Sequence, residues 1–199
     1  MELSASIERA LALLSIILEY PGQGVQTAIE ECQDLLAKEC PEAAVFFESF
    51  EAAARGLPLE QLEEVFASTF DMDTHYYPYL GYHLFGETYK RSIFMLELKE
   101  RYRSQGFPVA ERELPDHISI VLRFLATGKG TSLKDELARE ALLPSLDKML
   151  KKPAEEAGIA ENPGTPYRHV LMAVQALMEQ TVSASRAEVQ VVSPGGAHG

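Results

Sequence analysis

The sequence predicts an all-α protein, a single domain built as a bundle of about eight to ten helices. Three observations carry this. Apolar residues recur at the spacing of one helix face along almost the whole chain. Prolines and glycines punctuate it at intervals of roughly one helix. No run alternates with period two apart from "EVQVV" near the end, and no repeat of fixed period is present. With 199 residues, 46% of them hydrophobic, the chain has the size of one domain and enough apolar material for a sizeable core.

The elements follow in order. The first helix is expected over about residues 4–20, with Ile7, Leu11, Leu14 and Leu18 on one face. The second is expected over 25–39, with Ile29, Cys32 and Leu36 inward. Pro41 opens a third, "PEAAVFFESFEAAAR", which Gly56 ends, because proline suits the first helical position and glycine the residue past the last. Pro58 opens a fourth, with Leu62, Val65, Phe66 and Phe70 inward. The stretch 71–86, "DMDTHYYPYLGYHLFG", breaks the pattern with Pro78, Gly81 and Gly86 and is crowded by five aromatics. A long helix then runs to Gly106, followed by a loop over 107–114.

In "RELPDHISIVLRFLA" Pro115 is expected at the first helical position and Asp116 in the first turn, where its charge favours the positive end of the helix dipole. Ile118, Val121, Leu122 and Leu125 mark the buried face of that helix. The next helix, from 131, is capped by Thr131 or Ser132 and is expected to bend or break at Pro144. The last begins at Thr165-Pro166 and runs to about 183. The domain is thus placed at 1–184, with 185–199 as a flexible tail.

Composition narrows the function. The formal charge of −12, from 30 acidic and 18 basic residues, is the opposite of a nucleic-acid footprint. The excess is one-sided: residues 1–88 hold 16 acids and 3 bases, the remainder 14 and 15. This reads either as solubility or as an acidic face for a basic partner. The apolar run "IERALALLSIILEY" is interrupted by Glu8, Arg9 and Glu19 and stops at Pro21-Gly22, so no membrane insertion and no signal peptide are expected. Cys32 and Cys40 have no second pair to complete a metal cage, and read as small core residues of a cytoplasmic protein.

Three clusters could carry chemistry. Asp71, Asp73 and His75 alternate and could hold a divalent cation, which would make the protein a metal-dependent enzyme; equally, an aspartate after a helix is a common turn residue. His75, His83 and His117 lack the spacing of a helical zinc pair. No nucleophile motif and no phosphate loop is present, so no catalytic residue, metal or cofactor is assigned. The third cluster is the aromatic stretch "HYYPYLGYHLF", a core layer or the lining of a groove that binds a partner.

"FD" at 70–71, "YHLFGETYKRSIFMLELKERYRSQGF" at 82–107 and "ELPDHISIVLRFLA" at 113–126 resemble the NarJ branch of the TorD/DmsD/NarJ chaperones. "ELPDH" before an apolar helix is the most specific piece. Gly86, Glu87 and Arg91 match the family's looser segment, whereas Phe85 replaces a histidine and Ser92 a glycine. The resemblance implies an all-helical, cytoplasmic, non-catalytic chaperone for a molybdopterin oxidoreductase of the nitrate-reductase kind. Such a chaperone binds the N-terminal segment of the catalytic subunit, which is or descends from a basic twin-arginine leader, and holds the apoenzyme while the molybdenum cofactor is inserted. The partner contacts expected on this basis are Tyr76, Tyr79, Tyr82, His83, Phe85, Glu87, Arg91, Glu113, Asp116 and His117. Glu113 and His117 are read either as a brace between helices or as contacts to the peptide, and Asp116 as partly structural. A permanent structural subunit of a respiratory complex is the remaining alternative. The oligomeric state is left open.

Overall fold

The structure, a computed structural model, describes residues 2–109, 113–128, 131–151 and 165–191. Among these the chain is helical throughout, with one isolated β-bridge and no strand. The helices are α1 (Ala5–Ile17), α2 (Val25–Glu39), α3 (Pro41–Ala54), α4 (Leu59–Phe70), α5 (Leu80–Phe85), α6 (Tyr89–Ser104), α7 (Ile118–Leu125), α8 (Thr131–Glu136), α9 (Leu143–Leu150) and α10 (Tyr167–Val191). A 3₁₀ turn at Thr74–Tyr76 precedes α5. Among the described residues no helix is long and apolar enough to cross a membrane.

Local chemistry sets the helix ends. The Ser4 hydroxyl accepts the Ile7 N–H at 3.2 Å and starts α1, while Pro41 opens α3. Packing then follows the apolar faces. α1 lies against α2 and α7, α3 joins α2 to α10, and α9 packs on α10 and carries α5. α7 is the most buried element: Ile118, Ile120, Val121, Leu122, Phe124 and Leu125 are all enclosed. Each such side chain contributes about 1.5–3 kcal/mol on leaving water. Tyr167, the first residue of α10, is enclosed by Phe50, Phe66 and Phe70 at ring separations of 5.0–5.4 Å. Cys32 and Cys40 are buried and unpaired, and burial pushes the Cys32 thiol up.

The structure departs from expectation in three places. First, α7 begins at Ile118, not at Pro115. The Leu80 N–H donates to the Asp116 carbonyl at 2.9 Å and the Ile118 N–H to the Pro78 carbonyl at 2.7 Å. This antiparallel bridge keeps His117 extended, with Asp116 in the turn before it, so Asp116 is a buried residue before the helix and not a first-turn acid. Second, the bend at Pro144 is a π-helical segment, Leu137–Leu142, between α8 and α9. Proline has no N–H to donate and crowds the carbonyl four residues back; one wider turn absorbs both. Third, α10 is described to Val191, past the expected helix end at about 183, and takes up most of "EVQVV". A lone short strand with no neighbour would leave its backbone groups unpaired. The rest of the expected tail, 192–199, lies outside the described residues.

Candidate functional site

Residues 78–80 and 116–118 meet in the bridge, and the candidate side chains gather around it. Asp116 is fully enclosed. One carboxylate oxygen accepts the Gly81 N–H at 3.1 Å and lies 3.5 Å from Nε of Arg91; the other makes no hydrogen bond to the protein. Burial raises the Asp116 pKa, against the Arg91 charge and the Gly81 N–H, which favour the anion. A methyl group at Gly81 would stand 2.7 Å from that carboxylate and 3.1 Å from both Arg91 and Phe94. Only a residue without a Cβ lets α5, α6 and Asp116 come this close.

Tyr79 sits on top of this brace. Its hydroxyl donates to Glu113 at 3.3 Å, the Arg91 guanidinium lies 5.4 Å from its ring centre, and the His117 ring meets its edge at 5.3 Å. Burial, then the charges of Glu113, Asp116 and Asp71, push the Tyr79 hydroxyl up to about 12. His117 caps α7: its Nδ1 accepts the Ser119 N–H at 3.2 Å, with the Ser119 hydroxyl 2.7 Å away. Burial lowers the His117 pKa against the pull of Glu113, so the neutral ring that the cap needs is the favoured form.

The other aromatics follow along α5. His83 Nε2 donates to the Tyr77 carbonyl at 2.7 Å, and burial lowers its pKa. The Tyr82 ring lies 5.2 Å from Tyr77 and 5.3 Å from His83. Phe85 packs on Phe94 of α6 at 5.4 Å. These rings are half-buried, neither core nor free surface. Two residues from α9 hold the segment from behind. The Ser145 hydroxyl donates to the Leu80 carbonyl at 3.2 Å, and Lys148 donates to the His83 carbonyl at 2.6 Å, near the negative end of α5.

The structure thus brings Tyr79, Arg91, Glu113, Asp116 and His117 into one cluster and lines Tyr82, His83 and Phe85 beside it. Tyr76 lies apart, beside Arg168 of α10, and Glu87 is exposed beyond Gly86. Ser119, Ser145 and Lys148 carry no signal in the sequence, and Gly81 reads there only as a break in the helical pattern. Gly81, the one glycine inside α5, carried the only readable signal. Asp73 uses its carboxylate to accept the His75 N–H and turn the 3₁₀ segment, while His83 and His117 serve separate backbone contacts. Among the described residues no group of three His, Cys, Asp or Glu is placed to hold a metal ion.

Comparison with known proteins agrees with this architecture. A family model described as "Nitrate reductase delta subunit" matches residues 17–156. A probable nitrate reductase molybdenum cofactor assembly chaperone, NarJ of Bacillus subtilis, is 29% identical over 170 residues, which cover 83% of this chain and 86% of that protein. NarW of Escherichia coli, named as the same kind of chaperone, is 26% identical over 133 residues, covering 67% of this chain and 54% of its own length. The crystal structure of a candidate redox enzyme maturation protein from Archaeoglobus fulgidus superposes with a TM-score of 0.57 at 23% identity, over 86% of this chain and 93% of the other.

Proposed function

The chain belongs to the nitrate reductase delta subunit family, and from that premise we propose that it is an assembly chaperone for a molybdenum-containing, nitrate-reductase-like enzyme. In this reading it is not itself a catalyst. It acts in the cytoplasm, binds the N-terminal segment of the apo catalytic subunit, a segment that is or descends from a twin-arginine leader, and keeps the subunit open while the cofactor is inserted. Two observations from comparison support the class: the family match and the two relatives named for molybdenum cofactor assembly.

One structural observation supports peptide binding in particular. The row of half-buried rings from Tyr79 to Phe85 is rigidly backed, by Asp116 and Arg91 below and by Ser145 and Lys148 behind, yet the rings are not sealed into the core. A surface that is aromatic, partly desolvated and pre-organised can take apolar side chains with little ordering cost. Glu113 and His117 serve as the brace in the unliganded protein, with Glu113 free to meet a cation on the peptide.

The test is calorimetry with a synthetic peptide of the first ~20–30 residues of the client catalytic subunit, a leader's typical length. Tyr82→Ala and Phe85→Ala are expected to weaken binding about tenfold or more, as for a filled aromatic pocket. A peptide that binds no better than its scrambled control contradicts the reading.

A further inference from the structure

The ring surface continues past Tyr79 toward α1. Tyr20, just beyond α1, is 59% exposed and rests its ring edge on Phe66 of α4, with centroids 5.7 Å apart. Desolvation, and then the charge of Glu63 one turn before Phe66 on α4, push the Tyr20 hydroxyl up, and Asp71 caps the same helix. The Asp71 charge acts on the hydroxyls of both Tyr20 and Tyr79, so its carboxylate lies near both. Met72, next in the chain, is 80% exposed, and Leu114, beside Glu113, is 42% exposed.

This strip has apolar bodies and acidic rims. Two cations flank it, and both are engaged: Arg123 pairs with Glu19, and Arg91 faces the buried Asp116. Glu63, Asp71 and Glu113 are left without a cationic partner among the described residues. The one-sided acidity of residues 1–88 therefore has a local expression next to large exposed apolar side chains.

We propose that Tyr20, Glu63, Asp71, Met72, Glu113 and Leu114 form the seat of the basic part of a bound peptide, one in which Arg or Lys alternates with apolar residues. This rests on the peptide-binding reading above and adds a direction to it. The apolar part lies along Tyr79 to Phe85, and the cationic part crosses Tyr79 toward α1. Charge complementarity selects this occupant. Guanidinium or ammonium groups reach the three carboxylates while their aliphatic stems and neighbouring apolar residues cover Tyr20, Met72 and Leu114.

The experiment is calorimetry on the full chain, at low and high salt, with two probes: the client's N-terminal peptide, and the same peptide with every Arg and Lys replaced by Gln. The double variant Glu63→Gln/Asp71→Asn is expected to weaken the charged peptide about tenfold at low salt, less at high salt, and to leave the Gln peptide unchanged. Tyr20→Ala is expected to weaken both probes. The control Glu30→Gln/Glu48→Gln, on α2 and α3, is expected to change neither, and thermal melts check that every variant folds. Wild-type affinity retained by the Glu63/Asp71 variant overturns the seat while leaving the aromatic site standing. A wild-type chain that binds neither probe overturns the peptide-binding reading itself. A doubling of mass by light scattering that the Tyr20 variant abolishes, with no peptide bound, assigns the strip to a second copy of the chain and overturns the proposal.

Discussion

At the scale of single residues the site is governed by close approach and burial. Gly81→Ala places a methyl group against the enclosed Asp116 carboxylate and against Arg91 and Phe94. Overpacking of this kind is expected to cost about 1–3 kcal/mol, read as a lower denaturant midpoint with an unchanged slope. The histidines give a pH dependence with a definite sign. His117 and His83 are both held below the usual histidine value by burial. The native state therefore prefers them neutral. The stability this brings is complete above the unfolded value of about 6.5 and is lost as pH falls through the depressed native values. Asp116 has the opposite sign, since burial raises its pKa, and its protonation at lower pH offsets part of the loss. Denaturant titrations are expected to show stability falling below about pH 6.5. His117→Asn keeps a good N-cap without a titrating ring, and should flatten that fall.

At the scale of elements, the aromatic segment depends on a helix far away in sequence. α5 has only six residues and cannot persist alone. Ser145 and Lys148 on α9 reach its carbonyls because the π-helical turn before Pro144 sets the register of α9. Lys148→Met is expected to speed hydrogen exchange of the α5 amides while the global melting temperature barely moves; equal protection in variant and wild type would contradict this coupling. The sequence made the helices legible because α1, α4 and α7 each carry a full apolar stripe and a marked boundary. It made "ELPDH" legible as important, but not why. The bridge between Pro78–Leu80 and Asp116–Ile118 spans more than thirty residues, and no local rule announces a pairing of that range. The same reason hid Ser145 and Lys148. α6 is a different case: the sequence marks it as a long helix but names no inward face, and only Leu98 and Tyr102 are buried, while Tyr89, Ile93 and Leu96 face outward.

At the scale of the whole molecule, the described residues form a helical frame in which a row of half-buried rings lies beside carboxylates that no described cation pairs. A frame of this kind suits a protein that must hold a segment of another chain and then release it. Aromatic contacts slow release, while charges chiefly speed encounter and are weakened by salt. The two contributions are separable, and charge reversal of Asp71 is expected to lower the association rate at low salt with little change in dissociation. The proposed function requires this protein to enable cofactor insertion into a client. The most direct measurement is the molybdenum content of the client catalytic subunit, purified after expression with the wild-type chain, with Tyr82→Ala/Phe85→Ala, or without either. The expected result is near-stoichiometric molybdenum with the wild type and a largely empty subunit in the other two cases, with none of this chain left in the mature enzyme. Equal molybdenum in all three preparations would contradict the account.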